Sequence, residues 1–188
     1  MIIGLTGKNA SGKGEAANYL KSKGFIYYSL SDVIREEATK RGIEHSRENL
    51  INLGNELRER FKPNYLAQQI NKKIKESRIN FPDKFFFVID SIRNPFEAKE
   101  LMKNKDFVLV GIDAPIELRF KRLLKRNRLG DANTLEDFKK QEERENLKSD
   151  TNQQLGKTFG MAVKIIVNDG SLNELHERID RLMMELKY

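Results

Sequence analysis

The run Gly7, Lys8, Asn9, Ala10, Ser11, Gly12, Lys13, Gly14 and Glu15 carries the G-x-x-x-x-G-K spacing of a loop that cradles phosphate. Small residues let successive backbone N–H groups turn toward phosphate oxygens. The start of the following helix adds the positive end of its dipole, and Lys13 brings a mobile charge to β and γ phosphates. A glycine turn that merely capped a helix would not need Gly7, Gly12 and Lys13 together. Gly14 stands where many such loops carry the Ser or Thr hydroxyl that holds Mg²⁺, so that hydroxyl is missing here. Further along, Arg122 and Arg126 have a spacing that sets two guanidinium groups one helical turn apart on one face. His45 and His176 lie in polar helical stretches without spaced metal-ligand partners, and neither reads as catalytic.

A phosphate loop needs a strand before it and a helix after it. Met1 to Thr6 reads as a short buried strand, with Ala16, Ala17 and Leu20 as the inward stripe of the helix. Phe25 to Tyr28 reads as a second strand. Ser31 and Asp32 read as the cap of a helix carrying Val33, Ile34 and Ala38, which Gly42 ends. Helical spacing returns in Ser46 to Phe61 through Leu50, Leu53 and Leu57, and after Pro63 through Leu66, Ile70 and Ile74. Phe85 to Asp90 is the clearest buried strand, and Asn94-Pro95 opens a helix where the missing N–H of proline costs little.

Phe107 to Ile112 is a fourth strand, followed from Ala114-Pro115 by a helix with Leu118, Leu123 and Leu124 on one side and arginines elsewhere. Gly130 to Thr134 break the pattern. Asp137 to Asn146 is too charged to bury a full face and reads as a lid helix or an exposed arm. Val163 to Val167 is a fifth strand. Ser171 to Leu186 is a closing helix with Leu172, Leu175, Ile179 and Leu182 inward. Strands alternating with helices imply a parallel sheet covered on both faces.

At 188 residues the chain is long enough for one domain with a sizeable core. With 38% hydrophobic and 34% charged residues it reads as a soluble globular protein rather than a disordered one. The longest apolar run, Phe85 to Ile89, lies between Lys84 and Asp90 and is too short to span a bilayer. The first residues lack the pattern of a secretory signal, and the absence of Cys excludes disulfides and thiolate metal sites. A cytoplasmic location without membrane partners is expected. The net charge of +7 favours a polyanionic partner. Acidic and basic residues are interleaved, as in Arg35-Glu36-Glu37, and there is no aromatic-glycine RNA motif, so stable nucleic-acid binding is not expected.

With Gly12-Lys13-Gly14 in the loop, the sequence resembles the adenylate kinases and their relatives among nucleoside-monophosphate kinases, over almost its whole length. The resemblance implies a three-layer α/β P-loop fold: a five-stranded parallel sheet with helices on both faces, a helical acceptor-binding insertion and a lid. It implies one domain over 1–188, with a core of 1–30, 84–118 and 162–188, the insertion at about 31–80 and the lid at about 126–150. ATP and Mg²⁺ are the implied cofactors, with ATP on Gly7 to Glu15.

Ser31-Asp32-Val33-Ile34-Arg35 is similar to the family's start of the acceptor-binding helices, which puts Asp32 and Arg35 at the acceptor and Arg35 on its phosphate. Val88-Ile89-Asp90-Ser91-Ile92-Arg93 is similar to the family's buried strand ending in Asp. The resemblance has Asp90 orient Mg²⁺ through water and Arg93 clamp the acceptor; Asp90 also reads as a plain helix cap. By the same resemblance Arg122 lies against adenine and Arg126 against phosphates, with Arg128 and Arg144 joining from the lid. Asn168-Asp169-Gly170-Ser171 is similar to the family's loop beside the base, with Asp169 and Gly170 at the cofactor, and also reads as a turn with a helix cap. Gln141 stands where another lid arginine is expected. On this reading Lys13, Arg126, Arg93 and Asp90 carry catalysis.

The implied activity is transfer of the γ phosphate of Mg-ATP to a nucleoside or deoxynucleoside monophosphate, a small-molecule nucleotide acceptor. The stretch Asn49 to Arg58 looks like an archaeal group of predicted adenylate-kinase-related kinases and like the nucleotide-binding domain fused to some deoxycytidylate deaminases. The opening Ile2-Ile3-Gly4-Leu5-Thr6-Gly7 is shared with dephospho-coenzyme A kinases, which keeps a coenzyme A precursor open as acceptor. A nucleotide-sensing module without turnover is the alternative of another class, suggested by Gly14, Glu15 and Gln141. The oligomeric state is left open.

Overall fold

Ile2, Ile3 and Leu5 point alternately to two dry faces, none more than 1% exposed, so β1 (Ile2–Thr6) has to be a central strand. The computed structural model describes residues 1–82, 85–127, 130–145 and 153–187. After β1 come α1 (Lys13–Ser22), β2 (Ile26–Ser29) and three successive helices, α2 (Leu30–Lys40), α3 (Arg47–Phe61) and α4 (Tyr65–Asn80). Then follow β3 (Phe87–Asp90), α5 (Pro95–Leu101), β4 (Phe107–Asp113), α6 (Ile116–Arg126) and α7 (Leu135–Glu145). The short α8 (Leu155–Phe159), β5 (Lys164–Val167) and α9 (Leu172–Glu185) complete the chain.

Among the described residues the strands form one five-stranded sheet in the order β2-β3-β1-β4-β5, and every pair is parallel. Ile3 lies opposite Val88 on one side and Val108 on the other. Alternation along the strands splits the core in two. Ile2, Phe87, Ile89 and Leu109 pack with Leu57 of α3 and Leu66 and Ile70 of α4, while Ile3, Leu5, Val88 and Val110 pack with Ala17 of α1 and Leu175 and Ile179 of α9. Chain connections leave β1 and β3 in opposite directions, which opens a crevice at their carboxyl ends, where open α/β sheets bind ligands. No helix among the described residues is long and apolar enough to cross a membrane.

Several elements differ from the expectation. Ser29, not Ser31 or Asp32, caps α2: its hydroxyl accepts from the Ser31 N–H at 3.2 Å. On α6 Leu124 is 46% exposed and the buried partner of Leu123 is Arg119, at 2% exposure. Its charge is satisfied by Glu142 of α7 and by the carbonyls of Ala114 and Asn9, so polar pairing overrode the apolar pattern. Helix α7 is no exposed arm, because Phe138 is fully buried against Leu123 and Ala132. Leu172 is 49% exposed rather than inward.

Candidate active site

The loop between β1 and α1 takes its shape from two glycines. Gly7 has φ 141° and Gly12 φ 105°, and a Cβ at either would fall 2.1 Å from another atom: the Ile112 carbonyl oxygen at Gly7, the Asn168 side-chain nitrogen at Gly12. Lys13 folds back over the loop, its ammonium donating to the carbonyls of Gly7 and Lys8 at 2.8 Å each. Under the loop Asn168 donates from Nδ2 to the Ser11 carbonyl at 2.9 Å. The hydroxyls of Thr6 and Ser11 are buried there without a hydrogen-bond partner among the described residues. At Gly14 a Cβ would meet nothing within 4 Å, so the position that elsewhere holds a hydroxyl is sterically open.

A cleft of about 770 Å³ opens over this loop, within the ~300–1,000 Å³ usual for small-molecule sites. Its floor and sides bring together Lys13, Glu15, Arg35, Asp90, Arg93 and Arg126. A second lobe of about 450 Å³ shares Asn9, Ser31, Arg35, Arg93 and Arg126 with the first and extends under α3, where Ile34, Leu50 and Ile51 give it an apolar side. The two cavities thus adjoin, one over the phosphate loop and the other beside α3, with Arg35, Arg93 and Arg126 common to both.

Each wall has a structural origin. Asp90 ends β3, accepts from the Ser91 N–H at 2.6 Å, and is followed by Ser91 at φ 65°, a turn that swings the chain toward Arg93. The backbone N–H groups of Arg93 and Asn94 both donate to Glu97 at 3.1 Å, and Arg93 Nη1 reaches Gln153 at 3.5 Å. Arg35 pairs with Asp32 at 2.7 Å on the exposed rim. Arg122 donates to the backbone and side-chain oxygens of Asn168 at 3.1 and 3.2 Å, and its partial burial pushes its pKa down. Arg126 makes a bidentate pair with Asp131, 2.8 Å for each bond. Burial, and after it the charge of Asp90, pushes the Tyr27 phenol up.

Of the residues singled out from sequence, Asn9, Ala10, Gly12, Lys13, Gly14 and Glu15 line the cleft, as do Arg35, Asp90, Arg93, Arg122 and Arg126. Gly7, Lys8 and Ser11 shape the loop from beneath or outside it. Asp32 lines neither lobe and pairs with Arg35, which lines both. Asp169 and Gly170 do not line the cleft: Asp169 pairs with Arg178 at 2.7 Å, while Asn168 of the same segment lines it. Arg144 is exposed on α7 and lines neither lobe, and Arg128 lies outside the described residues. Sequence reading missed Tyr27, Ser29 and Lys125 as lining residues. It also missed that Leu172, exposed on α9, is a cleft wall beside Leu175. An apolar residue in the first turn of a helix that follows a strand end was the available signal for Leu172.

Comparison with known proteins agrees with this geometry. Among solved structures, TT1252 from Thermus thermophilus superposes with a TM-score of 0.63 at 23% identity, covering 99% of this chain and 97% of its own. A shikimate kinase from Bacteroides thetaiotaomicron gives 0.60 at 16% identity, covering 100% and 99%. At such identities the likeness is one of fold. Among sequences, a UPF0200 protein of Pyrococcus abyssi is 34% identical over 191 residues, covering 100% of this chain and 98% of its own length. A UPF0200 protein of Methanocaldococcus jannaschii is 31% identical over 186 residues, covering 99% and 90%. A UPF0200/UPF0201 protein of Archaeoglobus fulgidus is 32% identical over 187 residues; the match takes 98% of this chain but 55% of that longer protein, so the chain spans about half of its length. The AAA domain family model matches residues 6–139. With a phosphate loop, a five-stranded parallel sheet and UPF0200 relatives matched over nearly their full length, the chain belongs to the AAA domain family and to the UPF0200 proteins.

Proposed function

We propose that this protein is a nucleotide kinase that moves the γ phosphate of ATP to a nucleoside or deoxynucleoside monophosphate. The observation that carries the reading is that the two cavities adjoin, with Lys13 and the phosphate loop lining the first and Arg35 and Arg93 lining both. Arg126 borders both. Phosphoryl transfer needs two anions held in line, their charge neutralised and water kept away, rather than covalent help from the protein. A phosphate acceptor brings its own nucleophilic oxygen, so no general base is required.

In this scheme the amides of Gly7 to Gly14 and the Lys13 ammonium hold the β and γ phosphates of ATP. Arg122, Leu172 and Leu175 border its base. Arg35 and Arg93 bind the acceptor phosphate, and its base lies against Ile34, Leu50 and Ile51. A Cβ at Gly7 or Gly12 would collide with the Ile112 carbonyl or the Asn168 side chain behind the loop, so the two glycines keep the backbone in the shape that a phosphate cradle needs. Mg²⁺ would be held mainly by phosphate oxygens and water, with Asp90, on the cleft wall, orienting that water. The ion would supply charge neutralisation between the phosphates.

A second reading, a nucleotide sensor without turnover, is favoured by Gly14 and Glu15 at the head of α1, where the metal-holding hydroxyl is missing. ADP release measured with Mg-ATP against ribo- and deoxynucleoside monophosphates, dephospho-coenzyme A and uncharged alcohols separates the readings. Turnover with a monophosphate and none with uncharged alcohols is expected. Turnover confined to an uncharged alcohol contradicts the acceptor assignment, and ATP binding with silence across the panel favours the sensor.

A further inference from the structure

Asp131 holds Arg126 by one edge. Its two carboxylate oxygens accept from Nε and Nη2 of Arg126, each at 2.8 Å, in a side-on bidentate pair that does not use Nη1. The carboxylate is only 7% exposed, and Arg47, the first residue of α3, stands 3.6 Å from it. Arg126 and Asp131 both border the lobe under the insertion, and Arg126 borders the lobe over the phosphate loop as well.

A carboxylate against a phosphate-binding arginine can do either of two opposite things. It can compete with phosphate for the guanidinium, or it can fix the guanidinium so that its remaining edge faces the phosphate. Competition requires Asp131 to swing away when ligand arrives. Its neighbours oppose that. Gln141, on α7, donates to the Gly130 carbonyl at 3.2 Å, and Ala132 is buried against Leu123 and Phe138. Gly130 lies so close to α3 that an added Cβ would stand 3.5 Å from that of Arg47. Two arginines against one carboxylate also leave the cluster net positive, so it attracts phosphate rather than repelling it.

We propose that Asp131 is a positioning residue for phosphoryl transfer, setting the Arg126 guanidinium with Nη1 toward the phosphate that passes between the lobes and tying that setting to the insertion through Arg47. The proposal rests on the phosphotransfer reading. It assigns Gln141 a part as well: the residue that stands in place of a lid arginine anchors the loop that carries the orienting carboxylate.

The experiment compares wild type, Asp131→Asn and Asp131→Glu for kcat and KM on the best acceptor, for ATP binding by calorimetry, and for the Arg126 Nε–H signal by NMR, assigned through its loss in Arg126→Lys. Asp131→Asn is expected to keep KM and ATP affinity within about threefold while kcat falls about 10- to 100-fold, with Asp131→Glu between it and wild type. Faster turnover or tighter ATP binding in Asp131→Asn overturns the proposal, and so does an unchanged kcat. Should wild type transfer phosphate to no acceptor, the phosphotransfer reading fails by itself and the NMR signal decides the positioning claim. A slowly exchanging Nε–H that persists at saturating ATP and is lost in Asp131→Asn supports it; disappearance on adding ATP to wild type overturns it.

Discussion

Arg58 of α3 and Glu97 of α5 form an ion pair at 2.8 Å in which neither side chain is more than 3% exposed. Arg58 occupies one Glu97 oxygen while the other accepts from the N–H groups of Arg93 and Asn94. One carboxylate therefore joins α3 to the turn that presents Arg93. Replacing Arg58 with Met leaves that carboxylate buried without its cation, a change expected to cost about 3–5 kcal/mol. The midpoint of urea unfolding checks it. A midpoint near that of wild type would mean that the pair contributes little and that Arg93 is held by other contacts.

Gly12→Ala forces a Cβ at φ 105° into the Asn168 side chain, which in turn holds the Ser11 carbonyl and Arg122. A stability loss of about 1–2 kcal/mol is expected from the backbone alone, accompanied by loss of ATP binding. Calorimetric titration with ATP on the folded variant would show wild-type affinity if the loop were only a helix cap.

Gly14→Ser should behave in the opposite way. Its Cβ meets nothing within 4 Å, so unfolding stability should stay within about 0.5 kcal/mol of wild type. The added hydroxyl should lower the Mg²⁺ concentration needed for half-maximal ATP binding. A large drop in melting temperature would show that the position is constrained after all.

Acid should weaken the junction of α4 and α5. Burial alone would raise the Glu100 pKa, but hydrogen bonds from Lys103, Asn64 and Asn71 outweigh it and hold the carboxyl below its ordinary 4.5. The folded value lies below the unfolded one, so this stabilisation is complete above about pH 4.5 and is lost as pH falls through the lower folded value. Unfolding measured from pH 6 to 3 should show a shallower acid slope in Glu100→Gln than in wild type. Equal slopes would remove Glu100 from the account.

Much of this was legible in the sequence, for local reasons. The strand Met1 to Thr6, the glycine spacing and Lys13 lie within a few residues of one another, and a parallel sheet with helices on both faces followed from alternation. What escaped was set by partners distant in the chain. Nothing near Arg119 reveals that Glu142 will neutralise it, so its burial and the exposure of Leu124 could not be read from helical period. The loop Asn168 to Ser171 was legible, but only its packing shows that Asn168 is the residue that turns inward to Ser11. Helix α8 is too short to leave a periodic signal. The bidentate grip of Asp131 on Arg126 follows from the way a broken, polar stretch folds back across α6.

The most direct test of the central claim is label transfer. Wild type and Lys13→Ala are incubated with ATP labelled at the γ phosphate and with each nucleoside monophosphate, and the products are separated. The account predicts label on a nucleoside diphosphate in wild type and none in Lys13→Ala, with both proteins melting alike. Equal transfer by the two proteins would contradict it.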